Sequence, residues 1–112
     1  MKKIEAIIRP TKLDSVRLAL KEIGSPGLMI TEIEGHGKQK GITKQWRGKE
    51  YKVELLPKIK IEIVAHDKDV DKITKAIADA AGTGEIGDGK IFVSPIENAM
   101  RIRTGEKGDS AI

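Results

Sequence analysis

The chain has no cysteine, which excludes disulfides and thiolate metal sites at once. Aromatic residues are nearly as scarce: Trp46, Tyr51 and Phe92 are the whole complement among 112 residues. A module that stacks bases on sheet aromatics needs more. No apolar run approaches the roughly 18 residues of a membrane span. Lys2 and Lys3 begin like a secretory leader, but Glu5 and Arg9 interrupt the apolar stretch that should follow. A cytosolic location is the expectation. What is present suits a soluble domain, with 34% charged and 38% hydrophobic residues. A chain of this length makes one domain, burying roughly two-thirds of its unfolded surface.

The formal charge is +4, and its placement matters more than its size. Between Gly37 and Val53 stand Lys38, Lys40, Lys44, Arg47, Lys49 and Lys52 against the single acid Glu50, so this segment holds the whole excess. A protein that covers nucleic acid spreads its charge over a face. Here the basic character belongs to one element, and nucleic acid is not an expected partner.

A repeat organises the rest. Residues 3–8 read KIEAII and residues 60–65 read KIEIVA, an offset of 57. The same offset carries Leu13 to Val70, Val16 to Ile73, Ala19 to Ala76 and Leu20 to Ile77, and each set has the stripe of an amphipathic helix. Thr11 with Asp14 resembles a capping box, Asp67 is placed to cap the second helix, and Gly24, Pro26, Gly27, Gly82 and Gly84 supply the stops. Strands are predicted at 28–35 and 91–96, with a short extra strand over 100–103. The order β-α-β, long connection, β-α-β is the α+β ferredoxin-like sandwich. The connection from Gly35 to Pro57 exceeds the roughly 12–15 residues of a structureless spacer. It reads equally as an interaction arm or as a second hairpin.

The stretch TGEIGDGKIFV, Thr83–Val93, nearly spells the P-loop signature, but Ile91 stands where a magnesium-binding hydroxyl belongs. The topology is also reversed, since a helix runs into this loop and a strand leaves it. Both features speak against a nucleotide motor. A glycine turn before a strand is the plain alternative. Gly87, Asp88 and Gly89 could instead turn successive N–H groups into an anion nest, with Lys90 as a point charge and Arg101 and Arg103 as forked donors. Together these favour a nucleotide.

The same residues carry a resemblance. Thr83–Val93, RIRTGE over 101–106 and LPKIKIE over 56–62 are similar to signatures of the PII nitrogen-regulatory signal proteins, and the likeness spans essentially the whole chain. WRGKEY, Trp46–Tyr51, matches the family's central signature in part, with Trp46 where tyrosine is usual.

The resemblance implies a homotrimer that senses ATP, ADP and 2-oxoglutarate in clefts between subunits. Gly37, Lys38, Gln39, Gly87, Asp88, Gly89, Lys90, Arg101 and Arg103 are then expected at the phosphates, and Met29, Glu62 and Val64 at the nucleoside. Gln39 is the expected magnesium ligand, sharing the ion with oxygens of ATP and 2-oxoglutarate, and Lys58 the partner of a 2-oxoglutarate carboxylate. Residues 37–53 form the interaction arm and 99–112 a C-terminal strand and tail. Trp46 and Arg47 would engage a partner, an ammonium transporter approached from the cytoplasmic side of the membrane. A soluble enzyme such as glutamine synthetase is the alternative. Tyr51 matches a tyrosine that some members have uridylylated, whereas Lys49 removes a serine that others phosphorylate.

Departures accompany the likeness. Met29 replaces a threonine that contacts adenine, Lys38 replaces an arginine, and Glu85 puts an acid beside the turn. His36 and His66 receive no role. No histidine lies in the phosphate segments to act as general base, so an enzyme is not expected.

Overall fold

The structure, a computed structural model, describes residues 1–35, 42–46, 49–53 and 55–112, with 42–46 and 49–53 described as backbone only. Strand β1, Lys2–Ile8, alternates as its sequence requires: Ile4, Ala6 and Ile8 are buried while Lys3, Glu5 and Ile7 face outward. Helix α1, Leu13–Glu22, buries Val16 and Leu20. Strand β2 follows at Leu28–Gly35. Strand β5, Leu56–Ala65, leads to helix α2, Val70–Ala81, and strand β6, Lys90–Pro95, closes the second half. The sheet order is β2-β5-β1-β6 with antiparallel neighbours, and the predicted α+β ferredoxin-like plan is the one observed.

The core is the repeat made solid. Ile4, Ala6 and Ile8 correspond at the 57-residue offset to Ile61, Ile63 and Ala65, and Val16 and Leu20 to Ile73 and Ile77; all ten are buried in one cluster. Both helices therefore cover the same sheet face. A buried isoleucine or leucine contributes roughly 1.5–3 kcal/mol over exposure, and Ile61→Ala would cost about 2–5 kcal/mol through transfer and cavity terms.

The long connection holds a two-stranded ribbon, β3 (Ile42–Trp46) and β4 (Lys49–Val53), in a register that sets Lys44 opposite Tyr51 and Trp46 opposite Lys49. Such a ribbon suits an interaction arm as well as a plain hairpin.

Three local expectations need correction. Thr11 caps nothing, because Pro10 fixes φ and starts a 3-10 turn, Pro10–Lys12, before α1; the N-cap Lys12 makes no side-chain cap. Asp67 does not cap α2 either. It begins a 3-10 turn, and its carboxylate accepts from the Met1 amine at 2.9 Å and Lys2 Nζ at 3.1 Å, two cations that outweigh neutral backbone amides. Residues 100–103 are not a strand. Gly105 and Gly108 adopt positive φ, of 75° and 74°, and fold the chain back within a few residues. The Arg101 N–H donates to the Glu106 carbonyl at 2.8 Å, a single bridge pairs Met100 with Lys107, and the chain ends in a 3-10 turn, Gly108–Ala111.

Candidate functional site

The loop between α2 and β6 is built around one carboxylate. Asp88 accepts from the Thr83 N–H at 2.7 Å, the Thr83 hydroxyl at 2.5 Å, the Gly84 N–H at 2.9 Å and Arg9 Nε at 3.2 Å. Those bonds, the Thr83 hydroxyl first, hold its carboxyl well below the usual carboxylate range. The first part of TGEIGDGK thus wraps an anion the chain itself supplies. Asp88 was expected to line phosphates; its side chain is committed to the loop, leaving only its backbone for that role.

The second part of the loop is arranged differently. Arg9 Nη2 donates to the Ile86 carbonyl at 2.8 Å, and Lys58 Nζ donates to the Gly87 carbonyl at 2.9 Å. Both peptides are trans, so the Gly87 and Asp88 N–H groups point away from those cations. The Gly87 N–H meets no acceptor among the described residues, whereas the Asp88 N–H stands at the close of the turn over Ile86 and Gly87. Gly87 and Gly89, at φ of 103° and 101°, give the turn its shape. The Gly89 position is tight as well as left-handed, since a Cβ there would sit 1.7 Å from the Ile7 carbonyl oxygen. Such a concavity of amides, with Lys90 exposed beside it, is chemically an anion nest. Burial and then the neighbouring Arg9 charge push the Lys58 ammonium below its ordinary value.

The other expected residues fall in two groups. On the sheet face without helices, the register lines Met29, Glu62, Glu5 and Phe92 in one row across β2, β5, β1 and β6, with Val64 two residues beyond Glu62. Met29 and Phe92 are 57% and 54% exposed. Arg101 and Arg103 sit instead in the C-terminal turn. Arg101 is held by Glu106 at 3.1 Å, and Arg103 is exposed. Glu85 is exposed, and its N–H donates to the Thr83 hydroxyl. Gly37, Lys38, Gln39 and Arg47 lie outside the described residues, as does the magnesium expectation at Gln39. The side chains of Trp46 and Tyr51 lie outside them too.

Sequence reasoning missed two members of this site. Arg9 was noticed only as a charge, although it breaks the apolar alternation at the end of β1, which is the available signal. Thr83 opens the signature, and its signal is the lone acid Asp88 in a turn suited to anions, which needs donors nearby.

Comparison with known proteins identifies the family. A family model described as Nitrogen regulatory protein P-II matches residues 1–106. Nitrogen regulatory proteins P-II of Azospirillum brasilense and Rhodospirillum rubrum are 59% and 60% identical over 112 residues, covering all of this chain and all of each relative. Nitrogen regulatory protein P-II 2 of Methanothermobacter thermautotrophicus is 53% identical, covering 100% of this chain and 97% of its own. No helix among the described residues is long and apolar enough to cross a membrane. The chain belongs to the P-II family of nitrogen regulatory proteins, which are signalling proteins and not enzymes.

Proposed function

We propose that this protein reads ATP against ADP, together with 2-oxoglutarate, and passes the reading to a partner through its basic arm. The observation that carries the reading is the pair of carbonyls held by Arg9 and Lys58, which turns the Gly87 N–H away from both cations. Backbone amides and Lys90 suit a polyphosphate, and Lys58 suits a carboxylate beside it. The active form is a homotrimer. Its support is the helix-free sheet face with exposed Met29 and Phe92. Clefts between subunits would bring Arg101 and Arg103 to the phosphates and Met29, Glu62 and Val64 to the nucleoside.

Gln39 would hold magnesium with oxygens of ATP and 2-oxoglutarate, a hard cation on oxygen donors. Calorimetry with each ligand alone and together tests this. 2-oxoglutarate should bind with MgATP and poorly with ADP, and reciprocity requires it to tighten ATP by the same factor. Equal 2-oxoglutarate affinity in ATP and ADP would sink the shared-metal reading.

The partner we propose is an ammonium transporter, met at the cytoplasmic face with ADP or ATP bound and released with MgATP plus 2-oxoglutarate. An Arg47 guanidinium, with up to five donors, suits a narrow polar vestibule, and Trp46 would pack on its wall. A membrane pull-down decides it: capture by Arg47→Ala as good as by wild type defeats the pore-plug reading. A soluble nitrogen enzyme such as glutamine synthetase, recovered in its place, is the second reading, supported by the net charge of the arm. Modification at Tyr51 is testable by intact mass in nitrogen-starved and nitrogen-replete cells, and one unmodified mass in both counts against it.

A further inference from the structure

Glycine does not hold a turn in shape. Gly84, Gly87 and Gly89 have φ of 85°, 103° and 101°, and glycine visits the mirror-image conformations as readily. A nest made of such residues needs an external clasp, or its amides scatter. The clasp is on the page. Asp88 offers about four lone-pair positions, and four donors fill them: two from Thr83, one from Gly84 and one from Arg9. Arg9 reaches across the fold with both prongs, Nε on the Asp88 carboxylate and Nη2 on the Ile86 carbonyl. It stands just past β1, an inner strand of the sheet, so it ties the loop to the rigid core and not to the helix it follows.

We propose that Arg9 and Thr83 are positioning residues for the phosphate turn: through the Asp88 carboxylate they clasp residues 83–90 in the shape that leaves the Gly87 amide open to an anion. The proposal rests on the nucleotide reading above and adds residues to which that reading gave no part. Each has a separable task. Thr83 closes the loop on itself by donating through both its N–H and its hydroxyl. Arg9 fixes the closed loop in orientation, because its grip on the Ile86 carbonyl determines where the Gly87 N–H points. The Asp88 carboxylate faces its own donors and not the ligand.

The test uses the full chain with four substitutions: Thr83→Val, Thr83→Ser, Arg9→Gln and Arg9→Lys. Amide hydrogen exchange at Thr83 and Gly84 is followed without ligand, ATP affinity is measured by calorimetry, and thermal melting checks the fold. Thr83→Val and Arg9→Gln should speed exchange at both amides and weaken ATP by roughly tenfold or more, as loss of a charge-assisted bond implies. Thr83→Ser keeps the hydroxyl and should restore both readouts. Arg9→Lys keeps the charge but cannot span carboxylate and carbonyl together, so it should restore neither fully. Wild-type exchange in Thr83→Val and Arg9→Gln overturns the clasp. Weakened ATP with unchanged exchange in Arg9→Gln also overturns it, because Arg9 would then be meeting the ligand itself. If wild type takes up no nucleotide, the function proposed above fails, and exchange alone still decides whether the clasp exists.

Discussion

The two halves of this molecule share a core and differ in how the chain leaves the helix. After α1 the exit is purely local. Gly24 takes φ of 69°, its N–H donates to Lys21 at 3.1 Å, and Ser25 N–H donates to Leu20 at 3.0 Å, which is the Schellman closure of a helix end. After α2 the chain departs in extended form at Gly82, with φ −72° and ψ 139°, and its closing bonds come from Asp88, Arg9 and Lys58. A repeat that keeps ten buried positions in five matched pairs yet rebuilds one exit with a contact 79 residues apart has built that exit for something other than the core. The core needs only the first kind of exit.

Glycine substitution should break the comparison most sharply. Gly89→Ala would drive a Cβ to 1.7 Å from the Ile7 carbonyl oxygen at φ of 101°, against a central strand that cannot yield. We expect a loss of roughly 2–4 kcal/mol on melting, with nucleotide binding abolished. Gly27→Ala, in the other exit, meets nothing within 4 Å. Its effect should lie within about 0.5 kcal/mol, since an exposed substitution of this kind is near neutral. Comparable losses in the two variants would mean that the exits are not different in kind.

Charge removal comes next in size. Lys90→Ala or Arg103→Ala should lower ATP affinity by about tenfold or more while leaving melting and oligomeric mass unchanged, because both side chains are exposed and neither builds the core. Lys21→Ala, in the last turn of α1, removes a cation from the plain exit and should leave the affinity as it was. Unchanged affinity in both Lys90→Ala and Arg103→Ala would reduce the loop to an ordinary turn before a strand.

Why the sequence disclosed one half of this contrast better than the other has a physical answer. Burial is periodic, so the offset from Ile4 to Ile61 and from Leu20 to Ile77 placed the core, the strands and both helices from composition alone. Helix entries were misread because Thr11 and Asp67 were judged by type, and capping is decided by competitors nearby in space: the ring of Pro10 in one case, two cations in the other. The strand drawn through Arg101 and Arg103 failed because two-residue alternation is a weak signal beside two glycines at positive φ. The glycine turn itself was legible through its motif. Its clasp was not, since no periodicity links Arg9 with Asp88, and a pair that distant is visible only once β1 and the loop are folded together.

The smallest effect is expected in acid, and it separates two carboxylates with opposite designs. Asp88 is held low chiefly by neutral donors of Thr83, while Asp67 is held low by the N-terminal amine and Lys2. For both the folded pKa lies below the unfolded one of about 3.9. Their stabilisation is therefore complete above that pH and is lost as pH falls through the folded value. At neutral pH nothing should change. Salt should tell them apart, because ion pairs at the surface are screened and short hydrogen bonds from uncharged groups are not. In about 1 M salt, where the screening length is roughly 3 Å, carboxyl NMR titration should find Asp67 moved up toward the ordinary carboxylate range and Asp88 where it was. Thr83→Val should do the reverse, raising Asp88 and leaving Asp67. An Asp88 titration that followed salt as closely as Asp67 would mean that Arg9, and not Thr83, dominates the clasp.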